Sequence, residues 1–172
     1  SNACNYDAGA TMDDGSCTYA EGTCDCDGNP IEGACDCDGN IEDCAGECGG
    51  SSNVDDCGVC NGSGPESGFN CEGVPLDFVY NQSTEQAFYY FYTVTINGDS
   101  VNADDWVGAF KGDVCVGSLR WDISMCNSNV CSLPVMGHDD TDWTEGYLEP
   151  GDSPSFKIYD SSNNEYYDAL PS

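Results

Sequence analysis

The most informative run of the chain is AFYYFYTVTI, residues 87–96, where aromatic and β-branched residues follow one another without a helical repeat. Side chains of a strand alternate between faces, so Tyr89 and Phe91 point one way and Phe88, Tyr90 and Tyr92 the other. One of the two sets is therefore a candidate for exposure. LDFVY (76–80), WVGAF (106–110) and VCVGSLRW (114–121) read as further strands. NGDS (97–100) and KGD supply turns, and SFKIYD (155–160), SSNN and EYYDAL (165–170) read as a hairpin. No stretch after Gly73 repeats apolar residues at helical spacing over twelve positions. About 100 residues of short strands and frequent turns predict an all-β domain, a β-sandwich or jelly roll.

Before Gly73 the pattern disappears. That segment holds 11 of the 14 cysteines, 16 acidic residues, no Lys or Arg, and only Tyr6, Tyr19 and Phe69 as aromatics. Too little apolar surface is present to offset chain entropy, so cross-links or metal must hold it. The expected organisation is a remnant of tag cleavage at 1–3, an irregular Cys/Asp-rich, disulfide-stapled region at 4–73, and a β-sandwich at 74–172. The chain is expected to be part of a longer modular protein.

Charge narrows the partners. The chain carries 32 Asp plus Glu against Lys111, Lys157 and Arg120, a net charge of -29. Such a field repels nucleic acid and anionic membranes and attracts cations. No run approaches the ~20 apolar residues of a membrane span, so no membrane insertion is expected. Fourteen cysteines favour an oxidising compartment, hence an extracellular or cell-surface setting.

The first segment is a string of short units: CNYDAGATMDDGSC (4–17), CDCDGN twice (24–29 and 35–40), and DCAGECGGSSNVDDCGVCNGSG (43–64). These resemble the Cys/Asp-rich tandem repeats of secreted and cell-surface modular proteins, many from marine bacteria. The resemblance covers roughly residues 4–64 and implies an extracellular, modular setting without specifying an activity. The aspartate spacing also resembles the calcium repeats of thrombospondin type 3 modules.

Three chemical readings compete for the units. Acidic side chains alternating around a glycine suit a hard cation, which needs several oxygens from a short curved loop. The candidate calcium ligands are Asp25, Asp27, Asn29 and Glu32 in one loop and Asp36, Asp38, Asn40 and Asp43 in the next. Asp7, Asp13 and Asp14 form a weaker set, as do Asp55 and Asp56. Thiolate zinc sites at Cys24/Cys26, Cys35/Cys37 or Cys57/Cys60 are disfavoured, because they would add negative charge among 16 carboxylates. The cysteines are instead assigned to disulfides: Cys4, Cys17, Cys24, Cys26, Cys35, Cys37, Cys44, Cys48, Cys57, Cys60, Cys71, Cys115, Cys126 and Cys131. Members of a C-x-C pair seldom bond each other, so each is expected to reach into a neighbouring unit and build a ladder. Eleven cysteines precede Gly73 and three follow, so full oxidation requires a bridge across that point. Cys126 and Cys131 are expected to pair locally, leaving Cys115 to bond into the first region, with Cys71 its nearest candidate.

The sole histidine, His138, lies in GHDDTDW without a G-x-S-x-G partner motif, and reads as part of an acidic loop. A small hydrolase is the remote alternative. Asp139, Asp140 and Asp142 in that loop are a further candidate calcium set. All three tryptophans and eight of ten tyrosines lie in the second region, which favours a glycan or cell-surface ligand. Trp143, Trp106, Trp121 and Tyr147 are the candidate contacts, with Trp143 the first choice for exposure. The expected function is a non-catalytic extracellular fragment, a calcium-binding stalk joined to a binding or adhesion module. A purely structural spacer is the alternative.

Overall fold

The computed structural model describes residues 3–12, 15–20 and 22–171, in two compact units, Ser1–Pro65 and Glu66–Ser172. The chain is all-β, an irregular disulfide-rich segment followed by a sandwich. Among the described residues, no helix is long and apolar enough to cross a membrane.

The first unit is built from one loop, repeated. In residues 25–29, the side-chain oxygen of Asp25 accepts the N–H groups of Asp27 and Asn29. The Asp25 N–H donates to the Asn29 carbonyl, and the Gly28 N–H returns to the Asp25 carbonyl. Asp36, Asp43 and Asp55 each accept the same two N–H groups, two and four residues on, at 2.9–3.1 Å and 2.8–3.0 Å respectively. A short polar side chain that mimics a backbone carbonyl closes such a turn locally. The fourth residue is Gly28, Gly39, Gly46 or Gly58, with φ between 79° and 84°, a left-handed conformation that a Cβ disfavours.

The cysteines fasten loop to loop. Bridges join Cys4 to Cys26, Cys24 to Cys37, Cys35 to Cys48, and Cys44 to Cys60. The two sulfurs of each C-x-C pair thus go to different partners, as a ladder requires. Among the described residues of this unit, Cys24 is the only buried apolar side chain. Cross-links that restrict the unfolded chain replace a core here.

The second unit is a sandwich of unequal sheets. Its strands are β1 (Gln86–Phe91), β2 (Thr95–Ile96), β3 (Asp99–Ser100), β4 (Trp106–Lys111), β5 (Val114–Arg120), β6 (Cys131–Met136), β7 (Ser155–Asp160) and β8 (Glu165–Ala169). A four-stranded antiparallel sheet has the order β5-β4-β7-β8. The antiparallel pair β1-β6 packs over one face of it, and β2-β3 is a small hairpin around Asn97-Gly98. The main core lies between the sheets: Val107, Ala109, Val116, Leu133, Val135 and Phe156, with Tyr89 and Phe91 edge-on to Phe156 at 5.3 and 5.4 Å.

The other face of the larger sheet is covered by the chain before β1. Phe78 is fully buried against Phe110, and its carbonyl accepts the Ser118 hydroxyl at 2.8 Å. LDFVY is accordingly not a strand: Leu76–Phe78 is a single 3-10 turn after Pro75, with Phe78 as an anchor and no neighbouring strand to pair with. The run 87–96 is also divided, since the chain bends after Phe91 before the β2-β3 hairpin. The break between units falls at Pro65, ahead of the compositional boundary at Gly73. Residues 70–74 form another Asx-closed loop, with Asn70 at its first position. This loop is drawn into the sandwich, because Phe69 stacks edge-on to Tyr159 at 5.8 Å and Val74 packs on the Phe78 cluster.

Twelve cysteines are oxidised, Cys57 and Cys71 among them. Cys126 bonds Cys131 locally, as expected. Full oxidation does not occur: Cys17 is an exposed thiol and Cys115 a buried one. Cys115 faces Phe78, Phe110 and Tyr159 in an apolar cluster, where burial pushes its thiol up to about 11. With one reduced thiol on each side of Gly73, the odd counts no longer demand a crossing bridge. The cysteine content still points to an oxidising environment.

Candidate functional site

The outer face of the β1-β6 pair is the most distinctive surface of the second unit. Phe88, Tyr90 and Tyr92 are 50, 64 and 74 % exposed, while their neighbours Tyr89 and Phe91 enter the core. Registered pairs share a face, so Pro134 lies beside Phe88 and Ser132 beside Tyr90. Alternate residues along a strand stand about 6.5–7 Å apart, which sets Phe88 and Tyr90 side by side, and Tyr92 follows at the bend after β1. Neither QAFYYF of β1 nor CSLPVM of β6 contains a charged residue. A chain with a net charge of -29 therefore carries exposed aromatic rings on a strand pair without a charged residue. Exposed apolar patches of this kind mark interaction sites, and aromatic faces stack on flat apolar ligand surfaces.

The expected contact residues divide. Trp143 is 64 % exposed on a 3-10 turn, Asp142–Thr144, and its carbonyl accepts the Asn81 side-chain amide at 2.9 Å. Trp121 and Tyr147 are core residues, which corrects their assignment to a ligand surface. Trp121 packs in the main cluster, and the Tyr147 hydroxyl accepts the Asn81 N–H at 2.7 Å. Trp106 is half-buried against the Phe78 cluster. Alternation in β1 identified the aromatic row; tryptophan content alone did not separate core from surface.

The acidic loop after β6 is internally satisfied. Asp139 accepts the hydroxyls of Thr141 and Thr144, and also the Thr84 N–H at 3.0 Å. These bonds, the Thr141 hydroxyl foremost, hold its carboxyl well below the usual carboxylate range. His138 Nδ1 lies 2.9 Å from the Thr144 carbonyl, and Nε2 lies 3.8 Å from Asp140. Thr144 is buried and its hydroxyl donates to Asp139, which also accepts the Thr84 N–H, so the cluster ties this loop to the segment leading into β1. Asp142 begins the 3-10 turn.

The expected calcium ligands are spread over several roles. Asp25 and Asp36 close their loops, with Asn29 and Asn40 donating side-chain N–H groups to them at 3.2 and 2.6 Å. Asp43 closes its own loop and also accepts the Ser52 N–H. The Asn29 backbone N–H depresses the carboxyl of Asp25, the Asn40 amide that of Asp36, and the Ser52 N–H that of Asp43. Asp7 accepts the Gly9 N–H; Asp27, Glu32 and Asp38 are exposed; Asp13 and Asp14 lie outside the described residues. Among the described residues, one group of three His, Cys, Asp or Glu ligand atoms converges: Cys35, Asp36 and Cys48. Its two sulfurs are bonded to each other, which removes them as thiolate ligands. Comparison with protein-family models, curated proteins and solved structures gave no match.

Proposed function

We propose that the second unit is a non-catalytic binding module whose uncharged aromatic row engages a neutral glycan or cell-surface ligand, within an extracellular modular protein. The observation that carries this reading is the exposure of Phe88, Tyr90 and Tyr92 on a face without a charged residue. Hiding such rings in a protein this acidic would be simple by exchange for Thr, Asp or Glu on a solvent-facing strand. Their retention on one face suits a ligand that offers flat apolar patches, as the faces of sugar rings do. The disulfide-stapled loops of the first unit then serve as a robust spacer outside the cell.

The test is binding to a panel of neutral and acidic polysaccharides, comparing wild type with Tyr90→Ala/Tyr92→Ala. Retention on at least one neutral polysaccharide, reduced at least tenfold in the double variant, is expected. A wild type that binds none of them would leave the spacer role in its place. Trp143→Ala shows whether the exposed tryptophan belongs to the same surface.

A further inference from the structure

The two sheets of the sandwich do not match in width. β6 packs on β5 and β4, and β1 lies over β7, where Tyr89 and Phe91 meet Phe156. The inner face of β8 lies beyond this cover. Tyr167 and Ala169, registered beside Ile158 and Phe156, floor a cleft of about 570 Å³ that opens past the edge of β1. Leu170 stands at its rim, 94 % exposed. Among the described residues β1 pairs with β6 alone, so its second edge offers unpaired backbone donors and acceptors directly above this cleft.

The geometry points to β-strand addition at this edge: an extended basic segment of another protein lies beside β1, its alternate apolar side chains filling the cleft over β8. Addition of a strand gives affinity through main-chain hydrogen bonds and specificity through pockets for alternate side chains. Charge decides the occupant. The cleft's lining contains Asp168 and no cation. Asp99 pairs with the lining residue Ile96, and Glu165 accepts the Tyr167 hydroxyl. Lys111 pairs with Asp152 and Arg120 with Asp104 away from the cleft, while Lys157, registered beside Asp168 on β7, lies over Phe110. A second copy would bring another net charge of -29 to the same edge, whereas a strand carrying Lys or Arg on its outward positions is attracted. Tyr90 and Tyr92 of the aromatic row border this cleft, whereas Phe88 lies outside its lining.

The experiment uses the full 172-residue chain and a blocked nine-residue peptide alternating Val or Thr with Lys. Saturable binding is expected, with new protection of β1 amides from exchange. A peptide of equal charge with Pro at alternate positions is expected to bind at least tenfold more weakly, since it cannot donate to the edge. Ala169→Arg and the surface change Leu170→Asp test the cleft; the second alters an exposed side chain and leaves folding intact. At least one of them is expected to weaken the Lys peptide fivefold or more, and Phe88→Ala, outside the cleft's lining, to leave it unchanged. Equal binding of the Pro peptide, absence of β1 protection, equal binding of a Glu-for-Lys peptide, or self-association through β1 would each overturn the proposal. Loss of polysaccharide binding in the outer-face variant, with peptide binding retained, keeps the two readings distinct.

Discussion

Asn70 holds in its loop the position that Asp43 holds in an earlier one: each side-chain oxygen accepts the N–H groups two and four residues on, at 2.9–3.0 Å. A neutral amide can therefore fill the position, whose role in closing the loop is hydrogen bonding rather than charge. Asp43→Asn is expected to keep the amides of Ala45 and Glu47 protected from exchange, and Asp43→Ala to lose that protection. Asp43 also accepts the Ser52 N–H, a bond that an amide nitrogen cannot make, so the Asn variant should rank between wild type and Ala. Equal protection in all three variants would count against the assignment.

The second carboxylate oxygen explains two further glycines. A Cβ on Gly50 would stand 2.0 Å from Asp43 Oδ2, and one on Gly62 would stand 2.0 Å from Asp55 Oδ2. Gly50→Ala must displace the carboxylate and break its bond to Ser52. Exposed backbone at 43–52 and faster proteolysis there are expected, whereas Gly46→Ala fails for the different reason of its positive φ.

Acid should act on these loops locally. The Val59 N–H depresses the carboxyl of Asp55, as the bonds described above do for Asp25, Asp36 and Asp43. A carboxyl whose folded value lies below its unfolded value of about 3.9 contributes stability above that pH and loses it as pH falls through the folded value. Relief of the net charge of -29 works in the opposite sense over a similar range, so a global melting curve mixes the two. Carboxyl carbon shifts separate them: Asp25, Asp36, Asp43 and Asp55 are expected to titrate below ordinary aspartate, with the amides at the fifth loop position shifting in step.

Reduction should divide the units. Among its described residues the first has no core beyond Cys24 and depends on its bridges, each of which contributes about 2–5 kcal/mol in small secreted domains. Hydrogen exchange in reductant is expected to show residues 22–65 fully exchanging while β4 and β7 stay protected. Chelator without reductant is expected to leave the loops protected, because their closing bonds come from the chain itself.

The tryptophans give a contrast in the sandwich. Trp121→Ala removes a side chain that is 5 % exposed and should cost about 3–5 kcal/mol. Trp143→Ala, at 64 % exposure, should fall within about 0.5 kcal/mol of wild type. Denaturant unfolding of the two variants checks the ordering.

Period-two patterning in β1 was readable because alternation depends only on strand geometry; it placed Tyr89 and Phe91 on one face without any knowledge of the partner strand. The same logic cannot find β6, where Pro134 and Cys131 obscure the pattern and pairing with β1 supplies the order. Nor can composition tell Trp121 from Trp143, since burial depends on which element packs above each residue. The doubled CDCDGN motif carries its cross-linking in the spacing of its cysteines, but its aspartates are ambiguous: the spacing that suits a cation also suits an Asx-closed turn.

Two local properties were thus set by sequence alone: the absence of a core before Gly73, because apolar side chains are missing, and the β character after it, because alternation is intrinsic to the strand. Tertiary structure decided what depends on distant neighbours. It left Cys17 and Cys115 reduced and set a two-stranded sheet over a four-stranded one. The aromatic row and the open edge of β1 follow from that last packing choice, in which burying one face of a strand leaves its other face and its edge to solvent.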